Sequence, residues 1–295
     1  MNLFDGPAVV LDGGLATELE RRGNDLSDAL WSARLLADAP DEITAAHRAF
    51  FRAGARVATT ATYQASFDGF AARGIEHAAA ERLMRRAVEL ADAARADLPS
   101  DGKERWIAAS AGPYGAALAD GSEYRGRYGL SVAELAEWHS PRLDVLCDAG
   151  ADVLALETVP DADEAEALVQ AIAGRSVPAW LTYTIDGERT RAGQPLAEAF
   201  AVVAESPDIV AVGVNCCAPT DVEAAITIAR TVTDKPVLAY PNSGEGWVGR
   251  HWTGRSTFDA DLAKGWLAAG ANAVGGCCRV TPDDISRLAD AVRPD

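Results

Sequence analysis

The chain has 295 residues, 48% hydrophobic and 24% charged, a globular composition that excludes a disordered or fibrous protein. Its 27 Lys plus Arg face 44 Asp plus Glu, a net charge of −17 at pH 7. Such a surface repels phosphate backbones and argues against nucleic acid as a partner. No apolar run reaches the roughly 18 residues of a membrane span. The start Met1-Asn2-Leu3-Phe4-Asp5 lacks the basic residues of a signal peptide, so the expected location is cytoplasmic, without membrane contact.

Short apolar runs alternate with helical patterns along the chain. In order the runs are 8–12, 57–63, 106–112, 153–158, 179–184, 209–215, 237–240 and 273–277. They are rich in Val, Ile, Leu and Ala with little polar alternation, as strands covered on both faces should be. The clearest helical pattern is 76–98, where Ala79, Leu83, Ala87, Leu90 and Ala94 recur at steps of three or four. Ser131 with Glu134 reads as a capping box. Pro141 interrupts the 131–149 pattern and is expected to kink or split that helix. Thr281, Pro282 and two aspartates read as an N-cap, a proline at the first helical position and acids in the first turn. Ala53-Gly54-Ala55, Ala149-Gly150-Ala151 and Ala269-Gly270-Ala271 each close a helix before a strand, where glycine suits the left-handed position.

Eight strands alternating with helices predict a parallel sheet. An open doubly wound sheet satisfies the alternation, but eight regular units over this length fit the (β/α)8 TIM barrel better, as a single domain over 1–295. The longest irregular segments, 112–130 and 242–257, both follow strands, on the face where barrel enzymes place their chemistry.

Five cysteines stand at 147, 216, 217, 277 and 278. In a reducing cytosol, clustered cysteines more often mean metal or catalysis than disulfides. Three thiolates from two strand ends suit zinc with one position open, whereas four would close a structural site. Side chains alternate along a strand, so Cys216 and Cys217 do not both point inward unless the strand bends. Gly275-Gly276 gives the second pair a backbone able to curl. The spacing favours Cys277 and Cys278 plus one of Cys216 and Cys217, without choosing between them. Cys147, inside a helical pattern, reads as a small hydrophobe. A redox-active Cys277–Cys278 pair is a weaker reading, because adjacent cysteines bridge only through a strained turn.

Other strand-end residues are less specific alone. Asp12-Gly13-Gly14 offers a carboxylate beside bare backbone, suited to an ammonium and a carboxylate, or it is an ordinary turn. Thr60, near the end of the second run, is a further candidate for substrate contact. Glu157 follows an apolar run and is costly there without a cationic partner; an N-cap or loop role is the plain alternative. Asn215 either orients a metal ligand or makes a turn. Tyr63, Tyr114, Tyr124 and Trp247 lie in active-face segments, facing a cation or simply packing. None of the three lysines, Lys103, Lys235 and Lys264, ends a strand, which argues against a Schiff-base enzyme. Of the histidines only His251 lies in an active-face loop, which argues against a histidine-rich metal centre.

Together these residues resemble the homocysteine methyltransferase family, which includes S-methylmethionine-dependent enzymes, betaine–homocysteine methyltransferase and the homocysteine module of methionine synthase. Gly213-Val214-Asn215-Cys216 followed by Gly275-Gly276-Cys277-Cys278 resembles that family's zinc-thiolate signature. Leu11-Asp12-Gly13-Gly14, Thr62-Tyr63-Gln64-Ala65-Ser66, Glu157-Thr158-Val159-Pro160 and Tyr240-Pro241-Asn242-Ser243-Gly244-Glu245 support it. Gly112-Pro113-Tyr114-Gly115 and Ala119-Asp120-Gly121-Ser122-Glu123-Tyr124 resemble the shorter S-methylmethionine branch. The resemblance implies a (β/α)8 barrel and zinc held by Cys216, Cys277 and Cys278. It implies that Asp12 and Glu157 hold the homocysteine amino group and that amides around Gly13 and Gly14 hold its carboxylate. Cys217 departs from the pattern, which requires only the cysteine after the asparagine. The expected reaction is methyl transfer from a sulfonium, S-methylmethionine or S-adenosylmethionine, to L-homocysteine. A non-catalytic zinc–thiolate barrel, or transfer to another thiol or selenol, is the alternative.

Overall fold

A computed structural model describes residues 3–4, 6–27, 31–248 and 251–293. Eight strands, one in each apolar run, form a single parallel sheet: β1 Val9–Val10, β2 Val57–Thr59, β3 Trp106–Ala111, β4 Val153–Val159, β5 Ala179–Tyr183, β6 Ile209–Asn215, β7 Val237–Tyr240 and β8 Ala273–Val274. Consecutive strands pair from β2 to β8, and β8 pairs with β1. The Arg56 backbone N–H donates to the Val10 carbonyl at 2.7 Å and brings the two ends of the sheet together as a barrel. The expected fold is therefore the observed one.

Two apolar layers hold it. Leu11, Val57, Ala108, Ala155, Ala211 and Leu238 point into the barrel around Trp180, with Tyr240 in the same cluster. Alternate residues of the same strands face the helices. The helix His77–Ala96 buries Ala80, Met84, Ala87, Ala91 and Ala94, while Leu83 and Leu90 flank that stripe half-buried. Small residues at its centre let the helix lie close to the sheet.

The helix-to-strand joints are as expected: Gly54, Gly150 and Gly270 have φ of 110°, 86° and 112°. The capping boxes at Ser131 and Thr281 are both formed. Pro141, by contrast, does not split its helix, which runs unbroken over Val132–Cys147. Leu135 and His139 on one side of the proline and Leu143 and Leu146 on the other are buried, and that packing outweighs one missing hydrogen bond. The segment 242–257 is not irregular throughout, since Gly246–Val248 and His251–Thr253 pair as an antiparallel hairpin. No helix among the described residues is long and apolar enough to cross a membrane.

Candidate metal centre and active site

The ends of β6 and β8 bring three thiols together. Cys216, the residue after β6, has φ of 48°, a left-handed conformation that a non-glycine residue rarely adopts. The strand bends there, so the two neighbouring cysteines part. Cys217, only 1% exposed, enters the apolar core between sheet and helices. β8 stops at Val274, but the chain stays tied to its neighbours, with the Gly275 N–H donating to the Ala239 carbonyl and the Gly276 N–H to the Asp12 carbonyl, both at 3.0 Å. Gly275 and Gly276 provide room rather than a left-handed curl: a Cβ on Gly275 would lie 2.6 Å from Leu11 Cβ, and one on Gly276 would collide with Val280. The Cys277 N–H donates to the Pro241 carbonyl at 2.7 Å, and the Cys278 N–H to Asn242 Oδ1 at 3.1 Å. The Sγ atoms of Cys216, Cys277 and Cys278 all lie within 4.8 Å of one another. Hydrogen bonds from Cys216 and Cys277 pull the Cys278 thiol well below the ordinary thiol range. Cys277 is pushed up by its hydrogen bonds to the other two.

Two carboxyls accompany the thiols. Asp12, 4% exposed, accepts the Thr59 N–H at 2.7 Å and the Thr59 hydroxyl at 2.9 Å. Burial outweighs those bonds and raises its pKa to about 8, with the charge of Glu157 adding to the rise. Glu157 lies where the β4–β5 register shifts between Leu156 and Val159, next to Thr158 with φ of 62°. This irregularity re-aims a side chain at the barrel mouth. Glu157 is 7% exposed, accepts from the Ser110 hydroxyl, and is raised by burial to about 7. Among the described residues neither carboxyl has a cationic side chain as partner.

The remaining sequence candidates are placed differently. A Cβ on Gly13 would lie 2.6 Å from the Val280 carbonyl, and one on Gly14 2.6 Å from the Cys277 carbonyl, so both glycines serve close packing. The Gly14 N–H, expected to hold a carboxylate, donates instead to the Val280 carbonyl at 2.9 Å. The chain after β8 has folded back over this amide. Thr60 is buried, with its hydroxyl 2.7 Å from that of Thr62 and accepting the Ser110 N–H at 3.1 Å. Asn215 is also buried, and its amide joins strands: Oδ1 accepts from the Thr158 N–H and the Thr182 hydroxyl, and Nδ2 donates to the Thr158 hydroxyl.

Of the aromatics, Tyr114 packs on Tyr128 and Trp138, with ring centroids 5.2 and 5.0 Å away. Tyr63 and Tyr124 lie near the thiols, whose charges hold both phenols above the ordinary tyrosine range together with burial, the larger cause. Tyr124 nonetheless keeps 37% of its surface exposed, so it stands at the rim. A Cβ on Gly112 would meet the Tyr63 ring at 2.7 Å. The side chains of Trp247 and His251 lie outside the described residues. Ser110 and Thr182, which tie the carboxyl and the asparagine into the barrel together with Tyr240 of the seventh strand end, carry no sequence signal beyond their places near strand ends.

Residues 9–292 match the family model for homocysteine S-methyltransferase. The chain belongs to this family. The homocysteine S-methyltransferase of Escherichia coli (strain K12) is 45% identical over 291 residues, 95% of this chain and 94% of that protein. A selenocysteine Se-methyltransferase of Brassica oleracea var. italica is 39% identical over 306 residues, covering 96% and 88%. The crystal structure of the homocysteine methyltransferase MmuM from Escherichia coli in its metallated form matches with a TM-score of 0.87 at 44% identity, covering 98% of this chain and 97% of that one. Within the family, the described chain presents a three-thiol site beside two buried carboxyls at one mouth of the barrel.

Proposed function

We propose that this protein transfers a methyl group from S-methylmethionine to L-homocysteine, giving methionine, with a zinc ion held by Cys216, Cys277 and Cys278. The observation that carries the reading is the three-thiol cluster. Zinc–sulfur bonds of about 2.3 Å in a tetrahedron separate the sulfurs by about 3.8 Å, within the observed span. Cys217 points into the core, so the fourth position stays open, as a catalytic rather than a storage site requires. Bound there, zinc supplies a Lewis-acid position at which a substrate thiol gives up its proton at neutral pH.

The chain's residues do the rest. Asp12 and Glu157 hold the homocysteine ammonium, which answers the missing cationic partner of two buried carboxyls. Gly13 and Gly14, packed against the Val280 and Cys277 carbonyls, hold the chain after β8 close to Asp12. Thr60 and Ser110 support Glu157, and Asn215 holds the Thr158 backbone between Glu157 and Cys216. Tyr63 and Tyr124 flank the path of the sulfonium, where a cation–π contact contributes about 0.5–2 kcal/mol. The homocysteine sulfur forms a bond to the methyl carbon as the donor's carbon–sulfur bond breaks. The electron pair stays with the departing neutral sulfide, and positioning supplies most of the acceleration. S-adenosylmethionine is the second donor of the same charge type. One domain over 1–295, acting in the reducing cytoplasm, belongs to this reading.

The test is methionine formation from both substrates with one preparation as purified, after chelation, and after zinc is restored. Activity lost and regained with zinc is expected. A zinc-containing preparation without activity would overturn the donor–acceptor pair, and L-selenocysteine as acceptor is the next arm. A metal shell that gains no sulfur when homocysteine is added would favour a non-catalytic zinc–thiolate protein.

A further inference from the structure

The segment between β3 and the helix Val132–Cys147 carries a short helix, Tyr114–Leu118, and a 3-10 turn, Ser122–Tyr124. It is tightly built. A Cβ on Gly115 would sit 2.5 Å from the Glu123 amide nitrogen, Asp120 accepts the Ser122 N–H at 2.9 Å, and Ser122 is buried. The Tyr114 N–H donates to Glu164 Oε1 at 2.6 Å and pins the segment to the next helix, Ala162–Ile172.

Glu123 stands out in this frame. Its Oε2 is closed to solvent and has no hydrogen-bond partner. The carboxyl's polar contact is with its own backbone; the like charges of Asp120 and then of Cys216 bear on it, and its own charge bears on the hydroxyls of Tyr63 and Tyr128. A buried carboxylate oxygen without a donor is costly, and native proteins keep few of them. The loop, not the carboxyl, sets its position, so the vacant acceptor is carried to the thiol side of the barrel mouth by surrounding structure.

We infer that Glu123 receives the ammonium group of an amino-acid methyl donor. This rests on the methyl-transfer reading, in which two amino acids occupy the mouth together. Asp12 and Glu157 serve one ammonium, and Glu123 is a third carboxyl at the same mouth. An acceptor lacking a hydrogen bond is completed by an N–H donor, which an ammonium has and a sulfonium lacks. Glu123 therefore selects among sulfoniums: those with an α-amino group gain from it, and those without one do not.

Glu123→Gln keeps the shape and removes the charge. With zinc-loaded protein, the dissociation constant and KM for S-methylmethionine should rise about tenfold or more. The homocysteine dissociation constant should change less than about twofold. Binding of dimethylsulfonioacetate, a sulfonium without an ammonium, should be the same in both proteins. An unchanged affinity for S-methylmethionine would overturn the assignment, as would equal losses for both sulfoniums. Wild-type protein that makes no methionine refutes the proposed reaction instead, and the binding titrations then decide Glu123 alone.

Discussion

Asn215 holds Thr158 with both ends of its amide: Oδ1 accepts the Thr158 N–H at 2.7 Å, and Nδ2 donates to the Thr158 hydroxyl at 2.8 Å. This clamp ties β6 to β4 between two left-handed residues, Thr158 and Cys216. It sets the spacing between the Glu157 carboxyl and the Cys216 thiol. Asn215→Ala leaves the Thr158 N–H and the Thr182 hydroxyl without their acceptor, at about 1–3 kcal/mol each. Urea unfolding should show a loss of about 2–5 kcal/mol, and zinc affinity should fall about 10–100-fold. Wild-type metal affinity in that variant would mean that the thiols are held without the clamp.

The two neighbouring cysteines separate experimentally. Cys217→Ala should keep full zinc and full activity and lose only about 1 kcal/mol of packing, because Cys217 lies in the core. Cys278→Ala should lose both, because its sulfur is one of the three. Metal analysis and turnover on the two variants decide the matter; zinc loss in the Cys217 variant would reassign the ligand.

Gly112→Ala places a Cβ 2.6 Å from the Tyr63 carbonyl and 2.7 Å from its ring. Overpacking of this kind costs about 1–3 kcal/mol. Because Tyr63 borders the thiols, turnover should fall more than tenfold while the melting temperature drops only a few degrees. Undiminished turnover would show that Tyr63 can move without consequence.

His47 lies buried in the helix Pro40–Arg52, with neither ring nitrogen bonded. Burial lowers its pKa from 6.5 to about 4. The folded state thus refuses a proton that the unfolded chain accepts. Stability from this group is whole above pH 6.5 and falls as pH drops toward 4, by on the order of 3 kcal/mol. Asp12 and Glu157 act in the opposite sense, losing stability as pH rises through about 8 and about 7. Comparing His47→Leu with wild type isolates the histidine: the variant should be more stable at neutral pH by about 1–3 kcal/mol, and its advantage over wild type should grow as pH falls from 6.5 to 4. Parallel unfolding curves at pH 5 and 7.5 would contradict this.

The barrel was legible because its strands are buried on both faces and its joints need glycine. Gly54, Gly150 and Gly270 mark three of those joints in the sequence itself. The site was less legible where it breaks those regularities. Alternation forbids two inward cysteines, but nothing in a cysteine announces the left-handed turn that separates Cys216 from Cys217. The Gly14 amide looked open because its acceptor, Val280, arrives from the other end of the chain. Pro141 looked disruptive because a local rule does not count the packing on either side of it. Asn215 stands out in the sequence only for its place beside Cys216, whereas its partners on β4 and β5 appear only once the strands are adjacent.

The seam between β1 and β2 has its own consequence. There the Arg56–Val10 backbone bond is joined by the Asp12 carboxyl, which takes the Thr59 N–H as a carbonyl would. One side chain thus completes the wall and faces the mouth. An ammonium settling on Asp12 would keep that carboxyl ionised and tighten its hold on the Thr59 amide. Substrate arrival is then felt as closure of the wall itself, and the exchange rate of a single amide hydrogen at Thr59 becomes a gauge of occupancy that requires no turnover.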